Sequence, residues 1–440
     1  MHCTSGGYRY KSTGLGDGCP PYSIPLQTAL CGWAAVDRPR MPSQKALMTS
    51  PRMIFIDAVG IRTGGGAAIL NEFLYWLPRT RAEWMWRVFV LPHGERECEI
   101  VGTSPQVEIC EVSAAGSPLK RLDWVCRRLP RMVSRERPAA LFAMANLVFP
   151  WIPEPKILMC HQPLPFAVGH LGFPVSLRTA RLIIFKHLML LSASKAEAVV
   201  VQTEQMRLSF ASSWWCRNAH IHVVPSGYRT AGLLGELSPG IDERLSSISR
   251  PWLTYISLPA AHKNHTTLIE ALFQLRKSIP TASLLLTLEM DRTDSPEDSR
   301  CVAEIIAVAK RLDVLGAVHF LGMLPPQDVM HILKSCDVHV YPSLAESFGL
   351  PLAESVAAGC PVAASNLPYA REVLGTAALY FDPHSPLDMA RVITQCLCNQ
   401  VPGTAFHAPE YCDLSLRYSY SSIAATLCAL IETIAPSLTT

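Results

Sequence analysis

The sequence predicts an α/β protein built from two doubly wound parallel sheets, and three observations carry that prediction. Short apolar runs alternate with longer segments whose apolar positions recur at helical spacing, the pattern of strand–helix units. The alternation stops once, in a stretch rich in Gly, Ser and Pro, and then restarts. The chain has 440 residues, 49% hydrophobic and 17% charged, which suits two domains of about 150–200 residues each.

The first run is MIFID (residues 53–57), followed by Gly64, Gly65 and Gly66 and then by AAILNEFLYWLP at helical spacing. Strands are expected at Arg87–Leu91, Val107–Val112, Ala140–Ala143, Lys156–Cys160, Ala198–Val201 and His220–Val224, with helices between several of them. Residues 225–250, PSGYRTAGLLGELSPGIDERLSSISR, have no period and read as the hinge. Strands follow at Trp252–Ser257, Ala282–Leu288, Val318–Leu321, Val338–Tyr341, Pro361–Ala364 and Ala378–Phe381. Helices are expected at Asn264–Lys277, Val302–Leu312, Gln327–Ser335, Leu352–Ala358, Tyr369–Leu374 and Pro386–Leu397. The amphipathic segment Ser415–Ile434 is long enough to cross back to the first domain. The expected division is therefore 1–50 as an extension, 51–226 and 227–412 as two Rossmann-like domains, and 413–440 as a returning helix. Residues 1–50 read as disordered, or as a start codon placed too far upstream, with Met41, Met48 and Met53 as later starts.

Composition removes several classes of function. Fifteen cysteines without a Cys-x-x-Cys pair give neither a disulfide framework nor a zinc ribbon, and a reducing cytoplasm is the expected compartment. The apolar stretches Pro138–Pro153 and His187–Ser194 are too short or too proline-broken to span a bilayer. Residues 1–225 hold 25 Lys plus Arg against 15 Asp plus Glu, a net of +10, while the remainder carries −7. Seven of those basic residues lie between Lys120 and Arg137. Leu122, Trp124, Val125 and Leu129 give this segment an apolar side that faces either the core or a membrane surface. No recognition motif accompanies it, so nucleic acid is not expected as a partner.

The segment from Val338 to Ser365 is the richest in chemistry. Glu346 and Glu354 have seven residues between them, around Phe348-Gly349-Leu350-Pro351. Glu346 falls in a loop after a strand, Pro351 suits a first helical turn, and Glu354 stands one turn into the helix that Gly359 ends. The carboxylates are expected to face one cleft. The amides of Phe348, Gly349 and Leu350 then lie at a helix N-terminus, suited to a phosphate or a sugar edge. An ordinary strand-to-helix turn with two solvated glutamates is the alternative.

This string resembles the signature of glycosyltransferase family 4, retaining enzymes of the GT-B fold that move a sugar from a nucleotide donor. HFLGMLPPQDVMHILKSCDVHVYPS, VVVQTEQM and VHVVPSGY are similar to other family segments in the same order, and the likeness runs over most of 53–435. It implies two Rossmann-like domains facing each other across a cleft. Glu346 would contact donor-sugar hydroxyls, Glu354 the ribose, and Ser347, Phe348, Gly349 and Leu350 the sugar. Gly322, Met323 and Leu324 would line the base pocket. Lys263 resembles the diphosphate-binding lysine, although the arginine common five residues earlier is here Leu258. His262, Asn264 or His265 would compensate, or else serve as helix-capping or surface residues. Gly64, Gly65 and Gly66 sit where relatives close a loop over the diphosphate, or form only a flexible turn. His161 resembles the first-domain histidine near the donor sugar, or is a buried structural histidine, and Asn146 and Gln162 are pocket-lining candidates.

The resemblance implies a hexosyltransferase using front-face attack, with Glu346, Lys263 and His161 as the catalytic group. GDP-mannose is the first donor expected and a UDP-hexose the second. The acceptor would be a glycan or lipid-linked sugar in surface polysaccharide biosynthesis, at the cytoplasmic face of a membrane. No cofactor and no essential metal are expected, since the chain has no Asp-x-Asp motif. The alternatives are a degenerate nucleotide- or glycan-binding partner subunit, favoured by Leu258, and a nucleotide-sugar epimerase or a phosphorylase on the same fold.

Overall fold

A computed structural model describes residues 52–62, 64–93, 100, 104–113, 118–152, 155–169, 171, 176–229, 237–290, 296–398 and 409–435. The expectations for residues 1–50, for part of the hinge (230–236) and for 436–440 lie outside the described residues. In the first half, β1 (Arg52–Asp57) leads to α1 (Gly64–Thr80), β2 (Trp84–Val90) and β3 (Val107–Glu111). Next come α2 (Pro118–Asp123), a π turn (Trp124–Arg128), α3 (Leu129–Glu136), β4 (Ala140–Ala143), β5 (Lys156–Met159) and α4 (Leu164–Ala167). Then follow α5 (Leu177–Ala193), β6 (Ala198–Val201), α6 (Glu204–Ala211), a 3-10 turn (Trp214–Cys216) and β7 (Ile221–Val223).

The second half starts with α7 (Ile241–Ser246) and β8 (Trp252–Tyr255) and continues through α8 (His265–Arg276), β9 (Ser283–Leu286) and α9 (Pro296–Arg311). After these come β10 (Val318–Phe320), α10 (Pro326–Ser335), β11 (Val338–Tyr341), α11 (Leu350–Ala358) and β12 (Val362–Ser365). The last elements are α12 (Pro368–Leu374), β13 (Leu379–Phe381), α13 (Pro386–Cys398), α14 (Pro409–Arg417) and α15 (Tyr420–Ile434).

The first sheet has order β3-β2-β1-β4-β5-β6-β7 and the second β10-β9-β8-β11-β12-β13, each pairing parallel. Strand order reverses between β1 and β4 in one sheet and between β8 and β11 in the other. At such a switch point adjacent loops diverge and leave a crevice at the carboxyl ends of the strands. Central strands are buried on both faces, which explains why IFI at 54–56 and the runs at β4, β5 and β6 read as continuous apolar segments.

Two elements depart from the expectation. β2 begins at Trp84 rather than Arg87, because Trp84 and Trp86 are both buried against the core under α1 and α15. The C-terminal segment is also two helices. It breaks at Ser419, whose backbone is extended, so Tyr418 packs into the core of the second sheet and Tyr420 into that of the first. α15 does cross back: Ile423, Leu427 and Ile431 bury against α1, each contributing about 1.5–3 kcal/mol of transfer free energy. Arg81 Nε donates to Glu432 Oε1 at 2.9 Å beside it. The linker crosses this break at Gly227, where a Cβ would stand 2.4 Å from the Tyr418 carbonyl oxygen, so only glycine fits.

The basic segment is settled by packing. Trp124, Leu129 and Val133 are buried in the core, and Trp124 Nε1 donates to Asp57 Oδ1 at 3.1 Å. Its apolar side therefore faces inward, apart from exposed Leu122.

Candidate functional site

The loops after the four switch-point strands carry most of the residues singled out in the sequence. After β1 comes the Gly64–Gly66 turn, after β4 Asn146, after β8 Leu258 to Lys263, and after β11 Ser343 to Leu350. The two sheets close on one another through these loops. A Cβ at Gly64, whose φ is +68°, would lie 3.2 Å from Leu258 Cδ1, one at Gly65 3.4 Å from Leu350 Cδ1, and one at Gly66 3.4 Å from His161 Nε2. The glycines therefore let the backbone of the first half reach both the second-half loops and the histidine.

Lys263 and Glu346 form the centre. The Lys263 ammonium donates to Glu346 Oε1 at 2.5 Å, and the Tyr341 hydroxyl donates to the same oxygen at 2.9 Å. The Glu346 side chain is 12% exposed. Burial pushes its carboxyl up, but the charges of Lys263 and His262 and the hydrogen bonds outweigh this, leaving it below the usual carboxylate range. Burial and the neighbouring Glu346 push the Tyr341 phenol up, so it stays a donor. Lys263 is held from behind: its carbonyl accepts from Tyr255, whose hydroxyl also bonds Ser343 Oγ at 2.9 Å.

Gly349, with φ +86°, starts α11, and Pro351 follows in its first turn. The Ser347 carbonyl accepts from Thr203 Oγ1 at 3.0 Å, tying the loop to the first half. At the start of α11 Pro351 has no N–H and the Leu352 amide donates to the Gly349 carbonyl at 2.9 Å, so the Gly349 and Leu350 amides are the ones suited to an anion or a polar sugar edge there.

His161 ends β5. Its backbone amide donates to Asn146 Oδ1 at 2.8 Å, and burial lowers its pKa to about 4, so the ring is neutral near pH 7. Asn146 has φ +64°, a left-handed conformation that asparagine tolerates. Gln162 is half-buried beside them. Gly322, at φ +82°, borders a hollow of ≈ 380 Å³ with Leu288, Phe320 and Arg244. Met323 is exposed beside it, while Leu324 packs inward.

Three expectations change. Glu354 does not share an open face with Glu346: its side chain is 2% exposed and makes a bidentate ion pair with Arg229, whose Nη2 reaches Glu354 Oε2 at 3.3 Å. One turn into α11, the carboxylate rotates inward toward the linker rather than toward the cleft. Asn264 and His265 serve the scaffold. Asn264 Nδ2 donates to the Pro342 and Pro383 carbonyls, and buried His265 bonds Ser257 Oγ at 2.9 Å. Neither takes the place of an arginine at Leu258, whereas half-buried His262 does feel both Lys263 and Glu346. Sequence reasoning passed over Arg229, Thr203 and Tyr341, whose partners lie 125, 144 and 5 residues away; for the first two no local pattern marks the pairing.

Residues 249–407 match the family described as "Glycosyl transferases group 1". Over 248 residues the chain is 26% identical to a D-inositol 3-phosphate glycosyltransferase of Corynebacterium kroppenstedtii, covering 54% of this chain and 53% of that one. Over 82 residues it is 37% identical to the O-antigen chain mannosyltransferase B of Escherichia coli, covering 19% and 22%. The chain thus spans about half of the first relative and less of the second. Among solved structures, a sucrose-phosphate synthase from Thermosynechococcus elongatus superposes with a TM-score of 0.68 at 17% identity, covering 87% of this chain and 99% of that one. This likeness carries the fold: two Rossmann-like halves across a cleft, the GT-B arrangement.

Proposed function

We propose, from the match of residues 249–407 to the group 1 glycosyltransferases, that this chain is a retaining hexosyltransferase taking its sugar from a nucleoside-diphosphate donor. The observation that carries the reading is the Lys263–Glu346 pair set beside the N-terminus of α11 and opposite the glycine turn and His161. A diphosphate entering there meets an ammonium and the Gly349 and Leu350 amides, and a hexose meets a carboxylate already held by Tyr341.

In the transfer, the bond from the anomeric carbon to the diphosphate oxygen breaks while the acceptor oxygen bonds the same face of that carbon. The departing phosphate oxygen takes the acceptor's proton. Lys263 and the α11 amides stabilise the charge that develops on the leaving group, Glu346 positions the sugar hydroxyls, and neutral His161 offers a hydrogen bond without competing for negative charge. Glu354, already paired, meets a ribose only if Arg229 shares it.

Mannose is the favoured hexose, with GDP-mannose as donor, and the name of the Escherichia coli relative supports that choice. The acceptor is a glycan or lipid-linked sugar of surface polysaccharide assembly on the cytoplasmic face of a membrane. Among the described residues no helix is long and apolar enough to cross one. Purified protein incubated with GDP-mannose and UDP-glucose in parallel, read by thermal stabilisation and nucleoside diphosphate release, tests the reading. Selective stabilisation by GDP-mannose is expected. Selective stabilisation by UDP-glucose overturns the donor assignment, and none with either overturns the transferase in favour of a binding subunit.

A further inference from the structure

α5 inverts the usual rule for a surface helix. Its outward positions are apolar: Leu177 is 82% exposed and Ile184 61%, with Ile183 and Leu188 exposed beside them. Only Met189, Leu190, Ser192 and Ala193, near its end, are buried. Leu177, Arg181, Ile184 and Leu188 follow helical spacing, so they form one stripe along roughly 16 Å of helix. Among the described residues, eight of the fifteen exposed large hydrophobic side chains lie between positions 177 and 223.

One cation stands in this stripe, Arg181, whereas Arg178 pairs with Glu297 and Lys186 turns inward over the Phe166 ring. α5 contains Arg178, Arg181 and Lys186 and no acidic residue. Cys216 Sγ contacts the Leu190 carbonyl at 3.6 Å, which seats the 3-10 turn against the end of α5. Trp214, 74% exposed, and Trp215 project from that turn. Beside it lies a hollow of ≈ 350 Å³ lined by Arg207, Arg217, His220 and His222. Arg207 is paired with Glu204, whereas Arg217 makes no ion pair among the described residues.

We propose that the outer face of α5, with Trp214, Trp215 and the adjoining basic hollow, seats this protein on an anionic phospholipid bilayer. Exposed Trp and branched aliphatic side chains beside Arg181 and Arg217 match the interfacial zone of such a membrane, where apolar groups enter the acyl boundary and cations meet phosphates. Charge argues against the other occupants. Residues 1–50 hold five basic and two acidic residues, and a second copy would oppose the same cations. The helix also begins at the cleft: Arg178 Nη1 reaches Glu297 Oε2 at 3.1 Å and its charge is felt at His262. A bilayer along α5 would therefore hold a lipid-linked acceptor at the mouth of the site, an inference that rests on the transferase reading. The surface differs from the basic run at 118–136, whose apolar side is in the core.

The test is co-sedimentation of the full chain with phosphatidylcholine vesicles with and without 30 mol% phosphatidylglycerol, at low and high salt, the proportion being a choice of about the anionic content of a cytoplasmic leaflet. Binding is expected only to the anionic vesicles and should weaken with salt. Ile184→Glu combined with Leu188→Glu should lower binding about tenfold or more, Arg217→Ala should lower it less, and Leu122→Glu should leave it unchanged. All should retain the wild-type melting temperature and donor stabilisation, since these positions are exposed. No wild-type binding, equal binding to neutral vesicles, loss in Leu122→Glu but not in the α5 variant, or a dimer that the α5 variant dissolves would each overturn the proposal. Donor stabilisation that survives such a failure leaves the transferase reading standing, and its absence with vesicle binding intact removes that reading alone.

Discussion

Two ion pairs flank α11, and they differ in what surrounds them. Lys263–Glu346 stands at the helix's N-terminal end, partly open, with Tyr341 on the same carboxylate oxygen. Arg229–Glu354 lies one turn further along, where the carboxylate is closed to solvent and the arginine comes from the linker between the halves. The chemistry is the same, but an open pair can exchange its partners for a ligand, whereas a closed one can only hold the protein together or fail. The difference teaches that a glutamate's place in a motif does not settle its work; its exposure does.

That comparison can be broken in order of expected effect. Arg229→Ala leaves a buried carboxylate without its counter-charge and should cost about 3–5 kcal/mol of stability, seen as a lower denaturant midpoint with an unchanged slope. A change within about 0.5 kcal/mol would mean that Glu354 is not held as described. Lys263→Ala should act mainly on catalysis, lowering turnover by about 10²–10³, and should cost less stability than Arg229→Ala because Glu346 keeps Tyr341 and some access to solvent. Equal stability losses in both variants would erase the distinction.

A pH titration comes next. Burial lowers His161 to about 4 and both His265 and His339 to about 3. A histidine held neutral by the fold takes no proton at the unfolded value of about 6.5, so the unfolded chain binds more protons below that pH. Stability should thus be full above about 6.5 and fall steadily toward pH 4. Glu346, with a lowered pKa, contributes fully above the ordinary carboxylate value and loses that contribution progressively as pH falls from there to its own lower value. A melting temperature that is flat between pH 7 and 4.5 would contradict this. The smallest effect belongs to Tyr341→Phe, which removes one of the donors to Glu346 and should weaken donor binding by about 1 kcal/mol, read by isothermal titration.

Much of this was legible in the sequence because it is local. Apolar runs between turn residues mark buried parallel strands, and Gly349, Pro351 and Gly359 mark the ends of α11 from their backbone needs alone. What was not legible depends on packing between distant segments. Nothing near Arg229 announces Glu354, and the break at Ser419 follows from two cores competing for neighbouring tyrosines. The basic run at 118–136 and α5 look alike as strings of cations and apolar residues; only packing turns the first inward and the second outward.

The central claim is that the opening beside Lys263 and Glu346, and not the closed pair at Glu354, receives the nucleoside-diphosphate sugar. Thermal stabilisation by GDP-mannose, measured side by side in the wild type and in Lys263→Ala, addresses it most directly. The account expects a saturable rise in the wild type and its loss in Lys263→Ala, each read against that protein's own ligand-free melting temperature. An equal rise in both proteins would contradict it.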